Sequence, residues 1–360
     1  MRLLLAACLL ALCGPAAAEW RVAEPGWTYE FPRDHGNHPG FRTEWWYFTG
    51  NLRAQDGREF GYQLTFFRQG VGHGEDRIPL SRFVTRDIKF AHFAVTDLAA
   101  GRFHFFQKIS RGAYGDAGFG RNGRLAWIED WSCEGGETFT LRASEGDVAV
   151  ELTLRPRKPP VIHGEDGISR KGGGAGQASH YYSLTRMETA GVIRLGRETI
   201  PVSGESWFDH EWATNQLGEN QVGWDWFSLQ LDDGGELMLF QLRTRGGGRD
   251  PHSAGTFVDA DGRVTPLDSA AFILEPTAFW KSAGTGAEYP TAWRMEVKAL
   301  DLKLAVRAAQ ENQELLLQPI TYWEGAVRAT GSRGGRAVSG QGYLEMTGYA
   351  TPVRGMQEGR

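Results

Sequence analysis

Three polar residues in this sequence stand among large aromatic residues, where an acid or a base in a dry pocket could move protons. Glu44 precedes four consecutive aromatic residues, His210 has an aromatic residue two positions away on either side, and Asp225 lies between two tryptophans. Burial and a nearby carboxylate decide whether a histidine is charged near neutral pH. These residue types indicate acid–base chemistry, with His210 as the proton-transfer group and Glu44 or Asp225 as the acid. A core histidine bonded to a backbone carbonyl is the competing interpretation.

Aromatic residues beside these groups are the candidate walls of a site for an apolar ligand. Each ring taken alone is more often explained by core packing, because large aromatic side chains are mostly buried. Their concentration around three polar residues is what favours a ligand site. The candidate ligand-binding residues are Trp45, Trp46, Tyr47, Phe208, Trp212, Trp224 and Trp226.

The sequence offers little for metal or nucleophile chemistry. Residues 209–211 cannot all reach one ion from a regular strand, and no HExxH or paired-cysteine spacing is present. His35 and His38 lie in a polar loop and are expected to be exposed to solvent. Residues 204–208 lack the second glycine of a nucleophile elbow, and the glycine-rich segment 171–176 lacks the ending of a phosphate-binding loop. We therefore expect neither a metal ion nor a cofactor.

The elements that position these residues are predicted to be β-strands. Residues 44–52 and 60–67 are rich in aromatic and β-branched types and are separated by an Asp-Gly turn, which is a strong hairpin signal. Similar short runs follow one another to the end of the chain with turn residues between them. This pattern is typical of an all-β sandwich or barrel. One short helix is expected, at residues 267–274.

An internal repeat divides the chain. Residues 44–52 resemble residues 223–231, and residues 202–210 align without a gap to residues 338–346. The repeat predicts two domains from a duplication, at 19–215 and 216–360; chance similarity between aromatic strands of one large β-protein is the alternative. His210 aligns with Met346, so the fold does not require a histidine there. Both copies keep an acid at the preceding position, Asp209 and Glu345, which favours a structural role for that acid.

The N-terminus and the composition indicate the compartment. Residues 1–18 combine an early arginine, an apolar core and a small-residue cleavage site, which predicts a signal peptide and a periplasmic or secreted protein of a Gram-negative-type envelope. The formal net charge of −5 becomes −6 when Arg2 is removed, which argues against nucleic acid as a partner. Cys133 is then the one remaining cysteine, so no intramolecular disulfide is expected. No later segment has the length and apolarity of a membrane span.

Three motifs carry a resemblance to a known family. Residues 42–52, 204–212 and 342–349 resemble the AttH-like family, which is related to the carotenoid 1,2-hydratases. The resemblance covers nearly the whole chain after residue 18. It implies two tandem lipocalin-like β-barrels, in agreement with the repeat. Members have been described as lipocalin-like proteins, secreted hydrolases or hydratases, and some fungal relatives catalyse cycloadditions on polyenes.

The resemblance also implies a chemistry. The hydratases add water to an isoprenoid double bond without a cofactor; an acid protonates the alkene, and aromatic rings stabilise the cation. His210 and Trp212 match the hydratase His-Asn-Trp segment, with Glu211 in place of the asparagine. The acid expected from the hydratase pattern is missing from residues 237–243, so Asp225 or Glu44 would have to replace it.

The sequence leaves the kind of function open. We expect a protein that binds an elongated apolar molecule, such as an isoprenoid, polyene or lipid, with hydratase-type or hydrolase-type chemistry. A carrier without turnover and an envelope protein that binds another protein are the alternatives. The oligomeric state is not indicated.

Overall fold

The first part of the chain forms one large antiparallel sheet. The computed structural model describes residues 20–71, 85–121, 123–318 and 320–353, so the predicted signal peptide at 1–18 lies outside the described residues. A 3-10 turn at Arg33–His35 precedes the sheet. Its strands are β1 (Thr43–Ala54), β2 (Glu59–Gly70), β3 (Asp87–Asp97), β4 (Arg102–Ser110), β5 (Ala117–Phe119), β6 (Gly123–Ile128), β7 (Trp131–Gly135), β8 (Phe139–Glu145), β9 (Val148–Pro156), β10 (Val161–Ile162), β11 (Ser169–Arg170), β12 (Ala178–Leu195) and β13 (Glu198–Ala213).

The second part repeats this plan with fewer strands. A 3-10 turn at Lys298–Leu300 separates two of them. The strands are β14 (Gln221–Leu231), β15 (Glu236–Thr244), β16 (Ala254–Val258), β17 (Val264–Leu267), β18 (Phe272–Lys281), β19 (Glu288–Val297), β20 (Leu302–Ala308), β21 (Glu314–Leu315), β22 (Tyr322–Arg333) and β23 (Arg336–Met346). In both sheets the first strand pairs with the last, as β1 with β13 and β14 with β23. Each sheet curls into a barrel, which confirms the predicted all-β, two-barrel architecture.

The pairing register agrees with the predicted repeat. Tyr47 lies opposite Asp209 in the first sheet, and the aligned residues Trp226 and Glu345 lie opposite each other in the second. The gapless alignment drawn from the sequence therefore describes equivalent positions of two barrels. The predicted boundary between 215 and 216 falls in the connection between β13 and β14.

The four central strands present two different faces. Because side chains alternate along a strand, Trp46 and Phe208 point into the first barrel, while Tyr47 points out of it. Trp226 points out of the second barrel in the same way and meets Tyr47 edge to face, with ring centroids 5.2 Å apart. The outward faces of the two barrels thus form a third apolar cluster between the barrels.

Helical structure is almost absent. The helix expected at 267–274 is wrong, because these residues contain the end of β17, a turn and the start of β18. Short apolar segments are ambiguous between helix and strand when read alone. Within the described ranges, no helix has the length and apolarity needed to cross a membrane.

A buried ionic cluster joins the barrels. Glu236, on β15 of the second barrel, is fully buried and accepts from Lys158 Nζ at 2.7 Å and from Arg186 Nε at 2.6 Å. Both cations belong to the first barrel. The Arg186 guanidinium also bonds Glu205 and the Leu231 carbonyl. Removing one member of such a cluster leaves buried charges without compensation.

We expect Glu236→Gln to weaken the contact between the barrels. The amide cannot balance the charges of Lys158 and Arg186, so the free energy of unfolding should fall by about 3 kcal/mol. Calorimetry should then show two transitions in place of one. Glu198→Gln, which removes an exposed ion pair with Arg58 on one barrel, is the control and should leave a single transition. An unchanged profile for Glu236→Gln would contradict this account.

Candidate functional site

A cleft between the two barrels collects most of the unusual polar groups. The cleft has a cavity volume of about 80 Å³ and is partly open to solvent. Aromatic rings dominate the walls, and four carboxyl groups and one lysine are set among them. The lining residues are Trp45, Tyr47, Phe67, Lys171, Tyr181, Asp209, Glu211, Gln216, Leu217, Trp224, Trp226, Phe240, Leu242, Tyr322, Glu324 and Glu345.

Asp209 is the most heavily hydrogen-bonded acid of the cleft. Its carboxylate accepts from Tyr181 Oη at 2.7 Å, from Trp207 Nε1 at 2.6 Å and from Ser183 Oγ in a short contact. Burial raises its pKa to about 7, although these three donors oppose the shift, and the charge of Glu211 adds to it. Asp209 can therefore exchange a proton near neutral pH.

Lys171 and Glu211 form the one oppositely charged pair among the lining residues. Lys171 Nζ lies 3.5 Å from Glu211 Oε1 and 3.8 Å from the centre of the Phe240 ring. Burial lowers the pKa of Lys171 and raises that of Glu211, and each partner partly reverses the shift of the other. The pair places charge at the wall of an otherwise aromatic cleft.

Glu324 is the most weakly solvated acid. It is 2% exposed, and neither carboxyl oxygen makes a well-formed hydrogen bond among the described residues. Burial raises its pKa well above the usual range, and the charge of Glu345 adds to the shift. The hydroxyl groups of Tyr47 and Tyr322 are near enough to oppose this shift, but they do not reverse it. This shift favours the neutral form of the Glu324 carboxyl group, which can donate a proton.

Glu345 completes the set of acids. Trp224 Nε1 donates to its Oε2 at 3.2 Å. Burial raises its pKa to about 7, with further contributions from the charges of Asp209 and Glu211. The charges of acids on the first barrel therefore raise the pKa of an acid on the second barrel, across the cleft.

A second polar cluster fills the interior of the first barrel. Glu44 Oε1 lies 2.7 Å from His38 Nδ1 and 3.1 Å from His210 Nε2, and Arg68 Nε donates to Oε2 at 3.2 Å. The backbone N–H of His38 donates to both oxygens at 3.0 Å. Burial alone would raise the pKa of Glu44, but the His38 charge and these bonds hold it well below the usual range. Asp34 supports the other side of His38, 3.3 Å from Nε2.

This cluster is the group of described residues that could hold a metal. His38, Glu44 and His210 offer ligand atoms within 4.8 Å of one another. The 2.7 Å contact between His38 and Glu44 is hydrogen-bond spacing, whereas two ligands about 2 Å from one tetrahedral ion lie more than about 3 Å apart. The donors described above already occupy both oxygens of Glu44. The geometry fits a hydrogen-bonded carboxylate better than a metal site.

The structure separates the predicted site residues into three places. Glu44 and His210 are in contact inside the first barrel. Asp225 is inside the second barrel, where Gln241 Nε2 donates to it at 2.8 Å and Tyr349 Oη at 2.9 Å. Asp225 therefore does not meet the other two, and it does not line the cleft between the barrels. Of the predicted ligand-binding residues, those lining the cleft are Trp45, Tyr47, Trp224 and Trp226, and those inside the first barrel are Trp46, Phe208 and Trp212.

The two loop histidines are buried, contrary to expectation. His35 is 5% exposed and His38 is 9% exposed. The loop packs against the first barrel, where the centres of the Trp212 and His38 rings are stacked 3.7 Å apart and His35 Nδ1 lies 2.7 Å from Tyr182 Oη. A polar loop sequence gave no sign of these partners, which are far away in the chain.

Comparison with known proteins identifies the family. The model of the AttH-like family matches residues 22–349. The chain belongs to the AttH-like family. The crystal structure of an AttH candidate from Nitrosomonas europaea is similar to it, with 35% identity, a TM-score of 0.82 and coverage of 91% of this chain and 99% of that one.

Two further proteins are similar to this AttH-like protein, one in fold and one in sequence. Kievitone hydratase from Nectria haematococca shares the fold, with a TM-score of 0.71, 13% identity and coverage of 93% of this chain and 98% of that one. The dehydratase asqC of Emericella nidulans is 24% identical over 234 residues, which is 61% of this chain. The match spans 64% of the length of asqC, less than two thirds.

The sequence contained one signal for the cleft of this AttH-like protein. Asp209 and Glu345 occupy equivalent positions of the repeat, which favoured a structural role for both. Strand alternation places both on the outward faces, beside Tyr47 and Trp226, and these faces meet. Acids kept at the meeting faces of two copies are candidates for function as much as for structure. Lys171 and Glu324 carry no comparable signal: Lys171 lies in the loop after β11, and Glu324 lies on β22 opposite Glu345.

We expect Glu44→Gln to destabilise the first barrel. An amide cannot accept from all of the donors around Glu44, and it leaves Arg68 without its counter-ion, so the free energy of unfolding should fall by about 3 kcal/mol or more. Urea unfolding measures the change, and Glu24→Gln on the exposed N-terminal segment is the control. Added zinc should leave the melting temperature of the unaltered protein unchanged. A zinc-dependent increase that disappears in His38→Ala would establish a metal site instead.

We expect Glu345→Gln to stabilise the protein, but only at high pH. The folded-state pKa of Glu345 is about 7, above the unfolded value of 4.5, so ionisation favours unfolding. This penalty is absent below 4.5, grows between 4.5 and about 7 and is complete above that. Allowing for partial exposure, the variant should gain about 2 kcal/mol above pH 7 and nothing below 4.5.

Thermal unfolding across this pH range measures the gain. The amide introduced by Glu345→Gln keeps an oxygen for the Trp224 indole, so the hydrogen bond is preserved. Glu137→Gln, on the exposed end of the β7–β8 turn, is the control and should give the same stability difference at every pH. A pH-independent effect of Glu345→Gln would show that the carboxyl group does not titrate abnormally.

Proposed function

We propose that this AttH-like protein is an exported enzyme that adds water to, or removes water from, an apolar small molecule bound in the cleft between the barrels. The observation that most supports this proposal is the environment of Glu324. Its buried carboxyl group faces aromatic walls and makes no well-formed hydrogen bond in the described chain, and burial raises its pKa. A neutral acid that its neighbours do not satisfy is poised to protonate a substrate.

The cleft can supply both proton transfers of such a reaction. In the dehydration direction, Glu324 protonates the hydroxyl group of the substrate, the C–O bond breaks and water leaves. Asp209 or Glu345 then takes a proton from the neighbouring carbon, whose C–H electrons form the double bond. Both have a pKa of about 7, so each is partly ionised near neutral pH. Hydration is the same sequence in reverse.

The walls of the cleft suit the charge that develops between these steps. Loss of water leaves positive charge on carbon, and an aromatic ring face attracts a nearby cation. Trp45, Trp224 and Trp226 line the cleft beside the acids. A ligand that fills the aromatic cleft also excludes bulk water, which strengthens the electrostatic interactions inside it.

Two further observations support the proposal. Water addition and removal appear in the names of two relatives, kievitone hydratase and the dehydratase asqC. The signal-peptide pattern of residues 1–18 supports export to the periplasm or beyond. The acids of this proposal differ from Glu44, His210 and Asp225, which lie inside the barrels.

The test begins with the ligand. Native mass spectrometry of the protein purified from its own cell envelope, followed by extraction, should reveal a bound apolar compound. Incubation of this compound, or of a panel of isoprenoid and polyketide alkenes and alcohols, in ¹⁸O-labelled water should yield labelled alcohol or lost water. Glu324→Gln should reduce the rate by about 10² to 10⁴ while ligand binding persists, because the amide keeps the shape but has no acidic proton.

Controls separate the enzyme from a carrier. Glu296→Gln, a glutamate of β19 outside the cleft, should keep full activity. Stoichiometric binding without any label exchange would establish a carrier. Activity that survives in Glu324→Gln would assign the proton donor elsewhere. If no apolar compound binds, both ligand-binding functions are excluded.

A further inference from the structure

A chain of side chains runs away from the cleft behind Asp209. Ser183 Oγ is in a short hydrogen bond with Asp209 Oδ1 and lies 2.6 Å from His163 Nε2. His163 Nδ1 lies 2.9 Å from Thr256 Oγ1. His163 is 1% exposed, Ser183 is fully buried and Thr256 is 2% exposed. Ser183 and His163 belong to the first barrel and Thr256 to β16 of the second, so the chain crosses between the barrels.

The direction of these hydrogen bonds follows from proton counting. An ionised Asp209 can only accept, so the single Ser183 proton points to it. His163 Nε2 must then donate to Ser183 Oγ, because that hydroxyl has no second proton. A neutral imidazole has one donor and one acceptor, so Nδ1 accepts the proton of Thr256. Burial lowers the pKa of His163 to about 3, so the ring is neutral. All donors therefore point toward Asp209.

The outer end of the chain meets a second cavity. His163 and Thr256 line a space of about 470 Å³, whose rim includes the exposed residues Glu165, Arg170 and Pro266. This cavity is distinct from the cleft, and neither Asp209 nor Ser183 lines it. Water can reach Thr256 there without passing the apolar walls of the cleft.

We propose that Ser183, His163 and Thr256 form a proton relay that connects Asp209 in the cleft to solvent in the second cavity. This inference rests on the proposed function, in which Asp209 exchanges a proton with the substrate. A hydronium ion in the cavity gives its proton to Thr256 Oγ1 and becomes water. The Thr256 proton moves to His163 Nδ1, the Nε2 proton moves to Ser183 Oγ, and the Ser183 proton moves to Asp209.

The net result of one transfer is one proton from solvent on the Asp209 carboxylate. Transfer in the opposite direction restores the starting arrangement: the Asp209 proton moves to Ser183 Oγ, the Ser183 proton to His163 Nε2, the Nδ1 proton to Thr256, and the Thr256 proton to water. The return path is useful because an apolar ligand in the cleft excludes water from the front of Asp209, which is itself only 4% exposed. The charged groups that act on the two ends are Glu211 on Asp209 and Lys171 on His163.

A proton relay changes how fast Asp209 is protonated, so the test measures the rate of that protonation. Time-resolved infrared spectroscopy after a pH jump from a caged proton follows the carbonyl stretch of protonated Asp209, assigned by its absence in Asp209→Asn. His163→Gln is the informative variant. Its amide can donate to Ser183 and accept from Thr256, so it preserves the bridge but does not pass protons as an imidazole does.

We expect His163→Gln to slow the protonation of Asp209 by about tenfold or more, while the midpoint of its titration stays unchanged. Thr256→Val, which removes the outer end and leaves His163 in place, should slow it similarly. Added imidazole should restore part of the rate in His163→Ala. His180→Gln, which replaces another buried histidine of the first barrel, should keep the original rate.

The outcomes are separable from those of the proposed function. Equal rates in the unaltered protein, His163→Gln and Thr256→Val would overturn the relay, even if Glu324→Gln abolishes turnover. A change in the titration midpoint without a change in rate would assign His163 a structural role and also overturn it. An Asp209 band that does not titrate across the neutral range would overturn both the relay and the role of Asp209. If His163→Gln and Thr256→Val slow the protonation of Asp209 but the unaltered protein shows no turnover, the relay stands and the proposed enzyme activity is excluded.

Discussion

Strand alternation on four strands is the constraint on which the rest of the molecule depends. In each barrel the first strand pairs with the last, and every second side chain of that pair points outward. Because the two outward faces meet, residues separated by an entire barrel share one environment. Tyr47 and Trp226 touch there, and the charge of Asp209 raises the pKa of Glu345. A shift of one residue in either register would exchange these groups for barrel-core side chains.

The acids in the cleft lower the stability of the folded protein. Several carboxyl groups sit in a poorly solvated space where the charged form is disfavoured, and one lysine cannot balance them. Two other buried acids, Glu44 and Glu236, differ from the acids of the cleft because hydrogen-bond donors and cations surround their carboxylates. The contrast is informative, since structural acids here are fully satisfied and Glu324 is not. Unsatisfied, neutral carboxyl groups at a cleft are typical of sites that move protons.

The sequence predicted the scaffold well and the site only in part. The hairpin signals and the repeat predicted an all-β protein of two similar domains, because aromatic strands and Asp-Gly turns are local features. The choice of barrels over sandwiches came from the family resemblance. Glu44 and His210 were predicted to act together, and the pairing of β1 with β13 brings them into contact. Asp225 was predicted as an alternative acid, but strand alternation turns it into the second barrel while the neighbouring Trp224 and Trp226 face the cleft. Lys171 and Glu324 were missed because only tertiary contact places a loop residue and a strand residue in one cleft.

Residues of the cleft and residues of the barrel interiors are under different packing constraints. Inside each barrel, packing leaves little freedom: the first interior is filled by fully buried rings around the Glu44 cluster, and the second by apolar residues around Asp225. The space between the barrels is constrained only by the fit of two outer surfaces. Tyr47 of one copy can therefore become Trp226 of the other while both keep an acid opposite. The cleft is therefore lined by residues of both barrels, and neither barrel forms it alone.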